Sequence, residues 1–300
     1  MDEPSKSLIN IGELAKPAEA LVNKISDAVG GLLAPWQIKR VAKAEAEAAI
    51  IKAQGEIEVT DLQRRAMHRF IAEEASRQKN IEDITAKALP QLTDTAKPDE
   101  MDNDWVTNFF EKSRIVSDDE MQSLWARVLA GEANAPGTYS KRTVNFLADL
   151  DKTDAELFSN LCGFGWVIGD VVPLVFDVQA EIYNKQNINF NTLIHLESIG
   201  LIQFDNFAGF QRLKLPKRFG VVYYGRVLDL EMPSETGKGL ELGKVLLTKV
   251  GQQLAPICGS KPVDGFWEYV TKRWETYVPK PQSPDVASGQ TTPGTPAVQT

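Results

Sequence analysis

Four side chains hold all of the chain's imidazole and thiol chemistry: His68, His195, Cys162 and Cys258. Scattered as they are, they do not make a Cys/His zinc site of ordinary spacing. His68 lies among Arg64, Arg65 and Arg69, the composition of a solvated helix face. His195 falls between Ile194 and Leu196 on a short helix, with no partner nearby in sequence. The acidic run Asp99-Glu100-Met101-Asp102-Asn103-Asp104, counted from Asp102, lacks the glycine and glutamate that a calcium loop needs at its sixth and twelfth positions. A helix cap at Asp102 or Asn103 accounts for it. Gly237-Lys238 is followed by Gly239 rather than Ser or Thr, and Met232 stands where a phosphate loop requires glycine. Gly163-Phe164-Gly165 lacks the third glycine of a dinucleotide site, and no Gly-x-Ser-x-Gly elbow occurs. Asp118-Asp119-Glu120 fit the first turn of a helix, where carboxylates complement the dipole without any metal. The reading is therefore of a non-enzymatic chain with no catalytic, cofactor-binding or metal-binding residues. An enzyme with an unfamiliar site is kept as the last alternative.

Composition points the same way. The chain has 300 residues, a net charge of −8, 43% apolar and 25% charged residues, as in an ordinary globular protein. An acidic balance argues against a surface that grips nucleic acid or anionic lipid as a whole. Two cysteines cannot build a disulfide framework, so a reducing, cytoplasmic setting is expected. The first thirty residues are peppered with charge and contain no apolar signal core. No stretch is long and apolar enough to span a membrane.

The elements that could carry a function divide by charge. Residues 98–182 hold 16 acidic and 6 basic residues, whereas residues 183–280 hold 9 acidic and 13 basic ones. Residues 1–35 form an amphipathic segment: over 8–34, Ala18, Leu21, Val22, Ile25, Val29, Leu32 and Leu33 recur at helical spacing. That stripe packs on the protein's own core or on a second copy, with peripheral membrane contact as the alternative. Residues 36–92 read as one long charged helix of strong helix formers, with ten basic and nine acidic residues over 36–89. Its thin apolar stripe includes a possible oligomer seam at Val59, Leu62, Ala66 and Phe70. Such a stripe needs a neighbouring helix or another subunit.

Residues 99–182 read as a helical bundle. Ser117 with Glu120, and Thr153 with Glu156, have the spacing of capping boxes. The first opens a helix with Met121, Gln122, Leu124, Trp125 and Leu129, which Gly131 is placed to stop. Trp105, Val106, Phe109 and Phe110 mark the helix before it. Val171–Phe176 suits a strand or a short helix. Residues 183–280 alternate helix and strand: Asn189 caps one helix, Leu201–Phe204 begins a strand, residues near Val221–Asp229 form another, and Thr248 caps a further helix. Residues 281–300 are a tail rich in Pro, Gly, Ser, Thr and Gln, expected to be disordered. The fold class expected is mainly α, with a long N-terminal helix and bundle before a smaller α+β part.

The run Asp104-Trp105-Val106 through Phe109, then Ser117-Asp118-Asp119-Glu120-Met121-Gln122-Ser123-Leu124-Trp125-Ala126, resembles an uncharacterised bacterial family of unknown function. A looser likeness is to abortive-infection alpha proteins of phage-defence loci. Those also set a charged, alanine-rich N-terminal region before a Gln-x-x-Trp-Ala-x-x-Leu-Ala helix, here Gln122 to Ala130. The likeness implies phage defence and carries no catalytic residue. Residues Leu193–Ile202 and Leu247–Leu254 resemble the helix-to-wing and strand-to-helix steps of winged-helix domains. Lys214, Lys217 and Arg218 are the candidate phosphate contacts of that reading. The would-be recognition helix, Asn189 to Ile199, has no Arg or Lys to read a groove. The expectation is a scaffold that assembles as a homo-oligomer through its long helix and meets an unidentified protein partner. A nucleic-acid-binding regulator is the alternative.

Overall fold

The computed structural model describes residues 16–29, 60–233 and 239–279. The expected helix over 36–59, Val59, Gly237-Lys238, the flanks 8–15 and 30–34 of the N-terminal stripe, and the tail 281–300 lie outside the described residues.

Helix α1 (Lys16–Ala28) turns Ala18, Leu21, Val22 and Ile25 inward, at spacings of three and four. All four join the main hydrophobic core, and Lys24 Nζ donates to the carbonyl of Asp99 at 3.3 Å. These four residues of the stripe are thus covered by the chain itself.

Helix α2 (Asp61–Ala88) has 28 residues, about 42 Å at 1.5 Å per residue. It does not run on unbroken from Trp36 as expected. Thr60 is an extended N-cap: its hydroxyl accepts the Gln63 N–H, and the Gln63 side chain accepts the Thr60 N–H. That reciprocal box satisfies two donors and starts the helix afresh. Ile81, Ile84 and Ala88 then bury its far half against the bundle.

The bundle comprises α3 (Asn103–Ser113), α4 (Asp119–Asn134), α5 (Lys141–Ala148) and α6 (Lys152–Cys162). Its centre is aromatic: Trp105 stacks on Phe109 at 5.2 Å, and Phe109 meets Trp125 edge-on at 5.1 Å. Polar groups fix α2 on the end of α3 and on α4. Asn80 Nδ2 donates to the Arg114 carbonyl at 2.9 Å, and Lys87 Nζ donates to Asp119 at 2.6 Å and to Gln122 at 3.0 Å. The α4 cap is Asp118 rather than Ser117; its carboxylate accepts both the Glu120 and Met121 N–H at 3.0 Å. An ionised acceptor satisfying two amides outcompetes a neutral hydroxyl one residue earlier. Helix α6 likewise starts after Asp151, leaving Thr153 inside its first turn. Nor does Gly131 stop α4, which continues to Asn134; the Tyr139 ring packs on Gly131 instead.

Beyond α6, strands β1 (Gly165–Ile168), β2 (Asp170–Pro173), β5 (Arg218–Tyr223) and β6 (Arg226–Glu231) form an antiparallel sheet in the order β2-β1-β5-β6. The expected boundary at 182/183 therefore runs through a sheet, and the helical unit ends at Cys162. Tyr224 and Gly225, with φ of 45° and 83°, make the two-residue turn between β5 and β6. Two short ladders pair β3 (Ile202–Phe204) with β8 (Val245–Leu247), and β4 (Phe210–Arg212) with β7 (Leu240–Gly243). Helices α7 (Glu181–Asn184), α8 (Phe190–Ser198), α9 (Lys249–Leu254) and α10 (Phe266–Arg273) complete the part. Trp166 anchors it, stacked on Tyr223 and Trp267 at 5.2 and 5.1 Å with Trp274 edge-on at 5.5 Å. Mainly α describes the whole. Among the described residues no helix is long and apolar enough to cross a membrane.

Candidate interaction surface

The first turns of α2 stand off the body of the protein. Every residue from Asp61 to Phe70 is exposed. Within that stretch Leu62 is 69%, Phe70 60% and Met67 47% exposed. Leu62, Ala66 and Phe70 draw an apolar stripe at four-residue spacing, since residues four apart share a helix face, and Met67 lies beside it. Two of the flanking arginines are paired along the same helix: Arg64 with Asp61 at 3.0 Å and Arg69 with Glu73 at 3.4 Å. Exposed apolar side chains aligned this way are what a helix offers a partner.

The motif residues lie elsewhere and do different work. Trp105, Phe109, Met121, Gln122, Trp125 and Leu129 are buried. The Trp105 indole N–H donates to the Tyr139 carbonyl at 2.7 Å. Gln122 Nε2 donates to the Val116 carbonyl at 3.0 Å, tying the start of α4 to the loop before it. Ser117, Glu120, Thr153 and Glu156 are exposed. Lys152 bridges Glu120 at 2.6 Å and Asp118 at 3.4 Å. Hydrogen bonding from the Met121 N–H, helped by Lys152, holds the Asp118 carboxyl below the ordinary carboxylate range.

The phosphate candidates are compromised by one acid. Arg218 pairs with Glu231 at 2.9 Å and Lys217 approaches the same carboxylate at 3.7 Å. Lys214 occupies a left-handed backbone position, with φ of 57°. A carboxylate seated between two of three cations lowers the positive potential a phosphate would meet.

Two pairings had no signal in the spacing. His195 Nε2 lies 2.7 Å from Asp154 Oδ1, so the histidine read as partnerless has a carboxylate from α6. Tyr224 Oη donates to the Cys162 carbonyl at 3.2 Å and lies 2.6 Å from Ser260 Oγ, so the segments that carry Cys162 and Cys258, far apart in sequence, meet there. Among the described residues no three His, Cys, Asp or Glu side chains converge as metal ligands.

A family model described as a protein of unknown function, DUF2806, matches residues 64–271. No curated protein and no solved structure matches.

Proposed function

The chain belongs to the DUF2806 family, and from that membership we propose a non-enzymatic bacterial interaction protein that self-associates through the exposed half of α2. One observation carries the reading: Leu62, Ala66 and Phe70 form an exposed stripe on a helix whose other half is docked in the core. The occupant is a second copy of the chain. Asp61 and Glu73 offset Arg64 and Arg69 along the same helix, which limits the like-charge repulsion between two paired copies. A two-fold pairing would bury the same residues on both copies.

Light scattering on the full-length protein tests this. A multimer at micromolar concentration that becomes monomeric in the Leu62→Glu, Phe70→Glu double variant supports it. A monomer before any substitution overturns it.

The C-terminal part is read as a winged-helix-like platform for a protein partner. Its support is the order α8, β3, β8, α9, with Ile202 opposite Leu247 in the ladder and four strands, β4 to β7, inserted between them in sequence. The partial neutralisation of Lys217 and Arg218 by Glu231 favours protein over nucleic acid as that partner. The likeness to abortive-infection alpha proteins supports a role in phage defence. Plaque counts on bacteria expressing the chain test that role: the expected result is fewer plaques, recovered with the α2 double variant.

A further inference from the structure

Strand β6 is one edge of the four-stranded sheet: in the order β2-β1-β5-β6 no further strand follows it among the described residues. It pairs with β5 from Arg226 opposite Tyr223 to Glu231 opposite Arg218. In an antiparallel pair, successive residues point their N–H and C=O groups alternately toward the neighbouring strand and away from it. The two-residue turn makes Tyr223 and Arg226 a hydrogen-bonded pair. The Met232 N–H keeps the same phase by donating to the Lys217 carbonyl at 2.8 Å. Arg226, Leu228 and Leu230 therefore direct their main-chain groups at β5. Val227, Asp229 and Glu231 turn theirs outward, where no hydrogen bond from a described residue reaches them.

One face of this sheet carries an apolar row to that edge. Residues directly opposite share a face, and the registers align Val171, Val167, Val222 and Val227 across the four strands. Val167 is 42% exposed and Val227 62%. Arg226, the cation next to Val227, is held elsewhere, over the Trp267 ring at 4.0 Å and 3.8 Å from Glu268. An unpaired strand edge is a template for another strand unless charge or proline guards it. The row thus ends at an open edge that Val227 leaves unguarded.

We propose that the β6 edge pairs antiparallel with the β6 edge of a second copy, about a two-fold axis at Val227. Charge selects this register. An axis at Asp229 would set that carboxylate against its own copy, and like charges directly opposite destabilise a sheet. An axis at Leu228 would set Val227 opposite the Asp229 carboxylate. With the axis at Val227, valine meets valine and the two copies exchange a pair of main-chain hydrogen bonds there. Each Asp229 then lies opposite Gly225 of the other copy, which has no side chain to oppose it. The valine row runs unbroken through both sheets. The paired stretch, Gly225 to Asp229, is short beside the roughly 20–30 residues a side of a stable interface, so the contact is weak and forms only well above micromolar concentration. It is separate from the α2 stripe. Where both contacts operate, each copy meets two different neighbours, and assembly extends as a chain rather than stopping at a dimer.

The test is sedimentation of the full-length Leu62→Glu, Phe70→Glu chain, in which the α2 stripe is disabled, from micromolar to millimolar concentration. The expected result is a monomer that becomes a dimer as concentration rises, with amide exchange at Val227 slowing in step. A residue on a two-fold axis faces itself, so adding either Val227→Lys or Val227→Glu should abolish the dimer. An equal mixture of those two chains should restore it, because Lys then faces Glu. A chain that stays monomeric throughout, or a dimer untouched by either substitution, would overturn the proposal. So would a dimer strengthened by Val227→Lys, which would put the axis at Leu228 with the lysine facing Asp229. If the substituted chains do not fold, amide exchange in the parent decides, and no slowing at Val227 sinks the pairing. Light scattering of the wild-type chain at micromolar concentration judges the α2 reading by itself, so the two fail separately.

Discussion

The carboxylate of Glu132, only 3% exposed, accepts the backbone N–H of Tyr139 at 2.8 Å. Its second oxygen accepts the Gly137 N–H at 2.6 Å. One acid in the last turns of α4 thus holds two amides of the connection to α5, and the Tyr139 carbonyl receives the Trp105 indole N–H in turn. Removing the acceptor leaves two N–H groups without their partner, which costs about 3 kcal/mol. Glu132→Ala should therefore lower the urea midpoint sharply, and Glu132→Gln, which keeps one acceptor oxygen, should lose about half as much. Equal midpoints for wild type and Glu132→Ala would show that solvent satisfies these amides.

Gly131 reverses the usual rule for glycine in a helix. Alanine there would normally gain about 1 kcal/mol. A Cβ at this position would lie 2.6 Å from Cε2 of Tyr139, a ring whose backbone Glu132 holds in place. Overpacking of this kind costs about 1–3 kcal/mol. Gly131→Ala is expected to destabilise, and Tyr139→Leu in the same chain to recover part of the loss by removing the clashing edge. A stabilised Gly131→Ala protein would mean the ring moves aside freely.

Buried phenols make the fold sensitive to alkali. Burial, reinforced by the Glu132 charge, pushes Tyr139 up to about 12. Burial likewise takes Tyr223 to about 12 and raises Tyr183 further. The native state keeps protons that the unfolded chain releases above about pH 10, so stability is full below that value and falls between about pH 10 and 12. Each phenol contributes up to about 1.4 kcal/mol per pH unit in that window. Urea midpoints at rising pH, read beside tyrosinate absorbance, check the slope. A midpoint independent of pH up to 12 would show these phenols ionising in the folded protein.

What the sequence made legible was local. Spacing alone put Trp105 with Phe109, and Met121 with Trp125 and Leu129, because helical period fixes which residues share a face. The Thr60-x-x-Gln63 box was also in plain sight, but the strong helix formers around it masked the break. Long-range pairing was another matter. Strands β1 and β2 join β5 and β6 across the intervening α7, α8, β3 and β4, and no local pattern announces that register. The contacts of Asp154 with His195 and of Tyr224 with Cys162 and Ser260 have the same origin, since each joins elements that meet only after folding. The stripe at Leu62, Ala66 and Phe70 was visible from its period; its degree of exposure was not.

Trp125 tests whether the family motif is structural. It is fully buried and meets Phe109 edge-on. Truncating a buried aromatic of this size costs about 3–5 kcal/mol. Trp125→Ala should lose its thermal transition or show it far below wild type, whereas Trp125→Phe should retain most of it. An unchanged melting temperature for Trp125→Ala would mark the residue as a contact for another molecule.

The cap of α4 separates two neighbours that look interchangeable in sequence. Asp118 accepts two helix amides and one contact from Lys152 at 3.4 Å, whereas Ser117 is exposed ahead of it. Replacing a capping side chain by alanine destabilises a helix start, and asparagine caps about as well as aspartate. The melting temperature should therefore fall for Asp118→Ala, hold better for Asp118→Asn and stay unchanged for Ser117→Ala. The Met121 N–H keeps the Asp118 carboxyl below its ordinary value of 3.8, so the charged cap stabilises the fold above that pH. Its contribution is lost as pH falls through the lower, folded value. The gap between wild type and Asp118→Ala should accordingly be widest near neutrality and narrow at pH values below 3.8. A larger loss from Ser117→Ala than from Asp118→Ala would return the cap to the serine.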